Sequence, residues 1–216
     1  MVLDHRYNYL KPDVKQSLSN YIENIGKDLF SKDTEATLPA YDNIEAFNIT
    51  FTTDNGWNNL STIYPGFDDY LEAIVDFDCN MIHLVVLKGQ VGAEIGLHQD
   101  DSLQEHLANS GNAKYKNIFI GYKEDVVCSD HTTVLYLDIP ADMEGGEFYI
   151  KENSKIREYK PHTNSMIRFT GDTWHGARPV ISASTPRVVL VCEQYKLSKR
   201  TMRVLRAYDS PLILKG

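Results

Sequence analysis

The sequence predicts a mainly β fold with flanking helices, and three observations point to it. Apolar residues near the N-terminus recur at helical spacing. After about residue 80 the pattern changes to short runs that are rich in β-branched and aromatic residues. Gly, Pro, Asn and Asp separate these runs. Short strands spaced in this way are typical of a β-sandwich or barrel rather than a parallel α/β sheet.

The N-terminal segment predicts an amphipathic helix. Pro12 and Asp13 suit a first helical turn. The apolar residues that follow share one face: Val14, Leu18, Tyr21, Ile22, Ile25 and Leu29. We expect this stripe to pack against the protein's own core, with a partner-binding face as the alternative. A second, shorter helix is predicted at Gly66–Val75, where the apolar residues again share a face.

Residues 31–66 contain a β-prone run, Ala46–Phe51, and a turn-rich run, Asp54–Asn59. The turn-rich run places Trp57 among Asn and Gly residues. Two interpretations stay open for it: a loop that covers a binding site, or a long hairpin connection.

Six strands are predicted in the rest of the chain. They are Met81–Leu87, Asn117–Tyr122, Thr132–Asp138, Gly146–Ile150, Ser165–Phe169 and Arg187–Cys192. The tail from Lys196 to Gly216 carries six basic residues and one acidic residue. This composition indicates a solvated terminal helix, with contact to an anionic partner as the alternative.

The length of 216 residues suits a single domain. We expect residues 1–78 to form helical and loop support, residues 79–195 to form the β core, and residues 196–216 to form a basic tail. The formal charge of −8 disfavours broad attraction to nucleic acid or anionic lipid, and it suits a neutral or cationic substrate. The oligomeric state is not predicted.

The three cysteines lack CxxC spacing, so we interpret Cys79, Cys128 and Cys192 as buried or inert thiols. The N-terminus has no secretory signal pattern, and no apolar run has the length of a membrane span. These features predict a cytoplasmic protein.

His98, Asp100 and His175 carry the chemical signal. Residues two apart on a strand point the same way, so the His98-Gln-Asp100 segment would place an imidazole beside a carboxylate. His175 follows a predicted strand and a Gly-Asp turn. Two imidazoles and one carboxylate leave the opposite positions of a metal open, as non-haem Fe(II) oxygenases require. A structural zinc site would use four protein ligands, usually including cysteine.

Arg187 begins a strongly apolar strand. A permanent charge there is costly unless it meets an anion. A guanidinium can hold a carboxylate through two charge-assisted hydrogen bonds. The sequence therefore predicts an anion site at the start of this strand.

With these residues in place, the stretch from about residue 84 to 195 resembles the 2-oxoglutarate- and Fe(II)-dependent oxygenases, especially their prolyl-hydroxylase-like branch. Further motifs carry the resemblance: Thr133–Asp138, Glu144–Phe148, Met166–Phe169 and Pro179–Val180. It implies a double-stranded β-helix, a jelly-roll or cupin-like barrel, with supporting helices at the N-terminus.

The resemblance also implies residue roles and a reaction. His98, Asp100 and His175 would bind Fe(II), Arg187 would bind the distal carboxylate of 2-oxoglutarate, and Tyr136 would assist Arg187. Oxidative decarboxylation of 2-oxoglutarate by O₂ would give succinate and CO₂, coupled to hydroxylation of an unactivated C–H bond. The substrate would be an amino-acid residue, peptidyl or free, or another small metabolite. Its expected neighbours are Asp101, Trp174 and Arg178.

Three departures from that branch leave alternatives open. The interval between the distal histidine and Arg187 is longer than in many members, which leaves Arg178 or Arg168 as alternative anchors. Val189 stands where some branches have serine, and residues 101–131 form a longer insert. Two other classes of protein also remain: a non-catalytic metal-binding β-barrel that serves recognition, and an interaction module without a metal.

Overall fold

Antiparallel strands dominate the part of the chain that the structure describes, residues 1–24, 43–104, 127–152, 154–206 and 213–214 of a computed structural model. The helices in these ranges are α1 (Pro12–Asn24), α2 (Asn55–Ile63), α3 (Asp68–Ile74) and α4 (Lys199–Arg206), with a 3-10 turn at Pro65–Phe67. None of the described helices is long and apolar enough to cross a lipid bilayer.

The strands form two main sheets. They are β1 (Val2–Arg6), β2 (Ile44–Thr52), β3 (Met81–Gly89), β4 (Ile95–His98), β5 (His131–Asp138), β6 (Glu144–Gly145), β7 (Phe148–Glu152), β8 (Lys155–Tyr159), β9 (Ser165–Phe169), β10 (His175–Ala177), β11 (Val180–Ser182), β12 (Arg187–Tyr195) and β13 (Ile213–Leu214). The larger sheet has the order β1-β9-β5-β12-β3-β2-β13, and the smaller sheet has the order β4-β10-β7-β8. Strands β6 and β11 pair separately.

The chain alternates between the two sheets. It passes from β3 in the larger sheet to β4 in the smaller, then to β5, to β7 and β8, to β9, to β10 and finally to β12. This winding is that of a double-stranded β-helix, and the predicted fold is confirmed.

Strand β12 lies between β5 and β3, and both of its faces are buried. Successive side chains on a strand point to opposite faces. Leu190 and Cys192 pack with the core under the helices, whereas Val189 packs in the cluster between the two sheets. Burial on both faces explains why the sequence of this strand is almost continuously apolar.

Helices α1 to α3 share a hydrophobic core with the outer face of the larger sheet. Leu18 and Ile22 of α1 are buried with Leu71 of α3 and Leu84 of β3. The apolar stripe of α1 therefore packs against the protein's own core, as predicted. The structure describes this helix only as far as Asn24, so the predicted continuation to Leu29 lies outside the described residues.

The turn-rich run at Asp54–Asn59 is mostly helical. Both interpretations from the sequence, a loop that covers a binding site and a long hairpin connection, are therefore wrong. Helix α2 begins at Asn55, and Leu60 on it is fully buried. Trp57 packs edge-on against Phe51, with ring centroids 6.1 Å apart. Burial of Leu60 and packing of Trp57 outweigh the weak helix propensity of the Asn and Gly residues around them.

The tail also differs from its prediction. Helix α4 forms, but it is solvated on one side only. Met202 and Leu205 are buried in a cluster with Met81, Tyr195 and Leu197, while the basic residues Lys199, Arg200 and Arg203 are exposed. The predicted strand Asn117–Tyr122 lies outside the described residues, as does most of the insert at 101–131.

Candidate active site

His98 and His175 lie side by side on adjacent strands of the smaller sheet. Strands β4 and β10 are neighbours, and these two histidines are register partners. Asp100 lies just beyond the end of β4 rather than on it, and only 2% of it is exposed. One possible ligand atom from each residue lies within 4.8 Å of the others. The structure therefore brings together the three residues that the sequence singled out.

Each imidazole ring is oriented by the backbone carbonyl of the residue two positions earlier in the chain. Nδ1 of His98 lies 2.9 Å from the carbonyl oxygen of Gly96, and Nδ1 of His175 lies 2.8 Å from that of Thr173. A carbonyl oxygen only accepts, so we assign the proton to Nδ1 in each ring. This leaves the lone pair of each Nε2 directed at Asp100.

Asp100 is held through its side chain and its backbone. Oδ2 accepts a 2.5 Å hydrogen bond from Oγ1 of Thr132, which also contacts Oγ of Ser129 at 2.9 Å. The backbone N–H of Asp100 donates to the carbonyl oxygen of Gly171 at 2.9 Å, and its carbonyl oxygen accepts from Ser129 N–H at 2.9 Å. The second carboxylate oxygen, Oδ1, is left facing the histidines.

The donor set fits a transition metal ion. Nε2 of His98 and Nε2 of His175 lie 3.7 and 3.5 Å from Oδ1 of Asp100, too far for hydrogen bonds. Burial lowers the pKa of the His175 imidazole, which favours its neutral form. Three converging lone pairs repel one another unless a cation lies between them. Two imidazole nitrogens and one carboxylate oxygen are the ligands of a facial Fe(II) site.

These residues line a cavity between the two sheets. One wall of the cavity is β12, whose alternate residues Arg187, Val189, Val191 and Glu193 all contribute to its lining. Arg187 therefore shares one cavity with His98, Asp100 and His175, which we call the metal-type cluster.

Arg187 is a buried cation that forms no ion pair with a carboxylate of the described residues. It is 4% exposed, and its Nη1 donates to the carbonyl oxygen of Gly146 at 2.9 Å. In the described part of the chain, no carboxylate forms an ion pair with it, and burial lowers the pKa of its guanidinium. A Cβ on Gly89 would lie 3.1 Å from Nε of Arg187, so this glycine leaves room for the guanidinium.

Tyr136 lines the cavity beside Arg187. It is 3% exposed, and burial raises the pKa of its phenol, so the hydroxyl keeps its proton. Among the described residues, the hydroxyl has no hydrogen-bond partner. It is available to donate to an anion in the cavity.

The other predicted site residues lie elsewhere. Trp174 is 48% exposed and does not line the cavity. Arg178 is bound to Glu158 at 2.7 Å and covers the ring of Tyr149 at 4.6 Å, on the surface. Asp101 is half-buried next to the cavity but is not part of its lining.

Arg168 contacts Nε2 of His131 and does not reach the cavity. Arg178 and Arg168 were the two alternative anchors for an anion. Of the three arginines considered, the structure places only Arg187 in the cavity.

Glu193 is a cavity residue that the sequence analysis missed. It is 2% exposed, and it accepts hydrogen bonds from Ser102 Oγ at 2.5 Å and from the hydroxyl of Tyr195. Burial raises the pKa of its carboxyl to about 8. The available signal was a charged residue at an even spacing from Arg187 on an apolar strand, which puts both on one face.

Comparison with known proteins supports the fold. No protein-family model matches the sequence, and no curated protein sequence matches it. A Pseudomonas putida prolyl-4-hydroxylase is similar in structure, with a TM-score of 0.55 and 12% identity over 90% of this chain and 92% of that chain.

Two further solved structures are similar at the same level. A prolyl hydroxylase from Trichoplax adhaerens, in complex with a hypoxia inducible factor peptide fragment, gives a TM-score of 0.56 and 13% identity over 92% of this chain and 86% of that chain. HygX from Streptomyces hygroscopicus, with nickel and 2-oxoglutarate bound, gives 0.55 and 11% over 89% and 82%. At these identities the likeness shows a shared fold, that of the 2-oxoglutarate-Fe(II) oxygenases.

Proposed function

We propose that this protein is a 2-oxoglutarate-dependent Fe(II) dioxygenase that hydroxylates an unactivated C–H bond. The observation that carries the proposal is the convergence of His98, Asp100 and His175 in a cavity that also contains the buried Arg187, which forms no ion pair with the described residues. The reaction converts R–H, 2-oxoglutarate and O₂ into R–OH, succinate and CO₂. One oxygen atom enters the product alcohol and the other enters succinate.

In this proposal, His98, Asp100 and His175 hold the iron. Bound Fe(II) supplies the activation of O₂ and the electron transfer that protein side chains lack. The protein supplies orientation: the two Nδ1 hydrogen bonds fix the imidazole rings, and Thr132 fixes the carboxylate. Partners of this kind hold ligands in place before the metal binds.

Arg187 and Tyr136 are the proposed site for the distal carboxylate of 2-oxoglutarate. The guanidinium lacks a counter-ion among the described residues, and the Tyr136 hydroxyl lacks an acceptor there. A carboxylate satisfies both, because it carries the opposite charge and accepts several hydrogen bonds. Gly89 and Gly146 allow the guanidinium to lie against the backbone.

The middle of the cavity wall is apolar. Val85, Val134, Val189 and Val191 line it between Arg187 and Glu193. Apolar walls exclude water, which strengthens the electrostatic interactions inside and limits side reactions. A cosubstrate that extends from Arg187 towards the metal-type cluster would pass along these valines.

The proposed substrate is an amino-acid residue, peptidyl or free, or another small metabolite. Support for the peptidyl case comes from the prolyl hydroxylases among the similar structures, one of which is in complex with a peptide. The cosubstrate is supported by HygX, which is similar in fold and has nickel and 2-oxoglutarate bound.

Anaerobic titration of the Fe(II)-loaded protein with 2-oxoglutarate tests the proposal. A chelated keto acid gives a weak visible charge-transfer band, which we expect for the wild type and expect to weaken in Arg187→Ala. Metal binding without a band would indicate a non-catalytic metal-binding barrel. Failure to bind Fe(II) or Mn(II) at all would indicate an interaction module, and either result would overturn the proposal.

A further inference from the structure

Glu193 is a buried carboxyl in the cavity for which the proposed reaction has no role. It lines the cavity together with His98, Asp100 and His175. A wall that needed only to be apolar would not contain it, because burying a carboxyl group is costly. Its position beside the metal-type cluster therefore points to a binding role.

The hydrogen bonds of Glu193 leave acceptor capacity free. Ser102 donates to Oε1 and Tyr195 donates to Oε2. A carboxylate offers about four acceptor positions, so roughly two remain. Both donors are neutral hydroxyls, and no Lys, Arg or His of the described ranges forms an ion pair with Glu193. When it is ionised, the Glu193 carboxylate therefore has no counter-charge among the described residues.

Glu193 lies far from the proposed 2-oxoglutarate anchor. It follows Arg187 by six residues on the same strand, a separation of roughly 20 Å along an extended chain. Its cross-strand neighbour on β5 is Thr132, the residue that holds Asp100. Glu193 is thus level with the metal-type cluster, at the opposite end of the cavity from Arg187. The anionic cosubstrate proposed for Arg187 cannot supply a counter-charge to a carboxylate at this end.

We propose that Glu193 binds a cationic group of the substrate, a protonated primary amine or a guanidinium. The inference rests on the proposed function and specifies its substrate class. A cation supplies the missing counter-charge and donates hydrogen bonds to the free acceptor positions. It also agrees with the net charge of −8, which favours the approach of cations. The bound cation would hold a neighbouring C–H bond close to the metal-type cluster.

Two pairs of probes test the charge preference without turnover. The cationic probes are Nα-acetyl-L-lysine methylamide and Nα-acetyl-L-arginine methylamide. The matched neutral probes are the corresponding norleucine and citrulline derivatives. Calorimetric titration into protein loaded with Mn(II) and 2-oxoglutarate should show that at least one cation binds about tenfold or more tightly than its neutral partner, the size expected for a charge-assisted hydrogen bond.

Substitution of Glu193 assigns the preference to a residue. In Glu193→Gln the preference should fall to within about twofold, whereas Glu158→Gln, which removes a surface carboxylate, should retain it. Glu193→Asp keeps the charge and should retain a reduced preference. Persistence of the full preference in Glu193→Gln would overturn the inference. Equal affinities for the cationic and neutral probes in the wild type would also overturn the inference, as would no detectable binding of either cation. These wild-type measurements do not require a variant to fold.

Failure of this inference is distinguishable from failure of the proposed function. The anaerobic 2-oxoglutarate band depends on Arg187 and the three metal-type residues, and Glu193→Gln should retain it. A band without a charge preference would contradict only the proposal of a cationic substrate. Absence of the band in the wild type would contradict the proposed oxygenase function.

Discussion

Thr132 donates a 2.5 Å hydrogen bond to Oδ2 of Asp100, while Oδ1 of the same carboxylate faces His98 and His175. The two oxygens therefore have separate tasks. One is fixed by β5 of the larger sheet, and the other is directed at the histidines of the smaller sheet. This hydrogen bond joins the two sheets at the position where a metal would bind.

Thr132→Val should weaken binding of Fe(II) or Mn(II) by about ten- to hundredfold, the usual cost of losing a residue that orients a metal ligand. Anaerobic metal titration measures this. Thr133→Val is a matched control, because the Oγ1 of Thr133 is buried without a hydrogen-bond partner among the described residues. Equal losses in the two variants would contradict the role of Thr132.

Arg187→Ala should raise the KM for 2-oxoglutarate by about ten- to hundredfold, because a charged hydrogen bond contributes about 1.5–3 kcal/mol. The free energy of unfolding should change little, since the substitution also removes a buried charge without an ion pair. Steady-state kinetics and chemical denaturation measure the two quantities. Arg178→Ala, which removes a surface arginine, should leave the KM unchanged. A rise in this variant would indicate that Arg178 binds the 2-oxoglutarate carboxylate.

Gly146→Ala should displace the Arg187 guanidinium and raise the KM for 2-oxoglutarate. The φ angle of Gly146 is +73°, and an added Cβ would lie 2.9 Å from Nη1 of Arg187. Gly92→Ala is the control: its φ is +88°, but its Cβ would meet Asn43 instead. Both variants should lose about 1–2 kcal/mol of stability through backbone strain. Only Gly146→Ala should change the KM, and unchanged kinetics there would contradict the fit.

Mn(II) should raise the melting temperature of the wild type and leave that of Asp100→Ala nearly unchanged. A ligand present at 100 times its Kd stabilises the native state by about 2.7 kcal/mol. For a chain of this size that corresponds to about 5–10 °C. Thermal unfolding with Mn(II) and with a chelator provides the measurement. A similar rise in both proteins would place the metal elsewhere.

Glu193→Gln should reduce the pH dependence of stability in the metal-free protein. Burial raises the pKa of the Glu193 carboxyl from 4.5 to about 8 in the folded state. Its contribution to stability is therefore full below about pH 4.5 and is lost as the pH rises through about 8. Urea denaturation in the presence of a chelator at pH 6 and pH 8.5 should show a smaller decline for the variant. Parallel declines would contradict the raised pKa.

The sequence by itself determined the helix at α1, the main strands β3, β5, β9 and β12, and the grouping of His98, Asp100, His175 and Arg187. These features follow from local patterns. Helical and strand periodicity reveal which face is buried, and a charged residue in an apolar strand reveals its need for a partner. Short strands such as β1, β8 and β13 carry too little pattern to be recognised.

Only the tertiary structure decided which residues meet. Trp174 and Arg178, which are near His175 in the chain, were expected beside the substrate. Of these three residues, however, only His175 lines the cavity. Helix α2 formed from a turn-rich sequence because burial of Leu60 outweighed local propensity. Spacing puts Glu193 on the same face as Arg187, but only strand pairing sets it level with Thr132, the residue that binds Asp100.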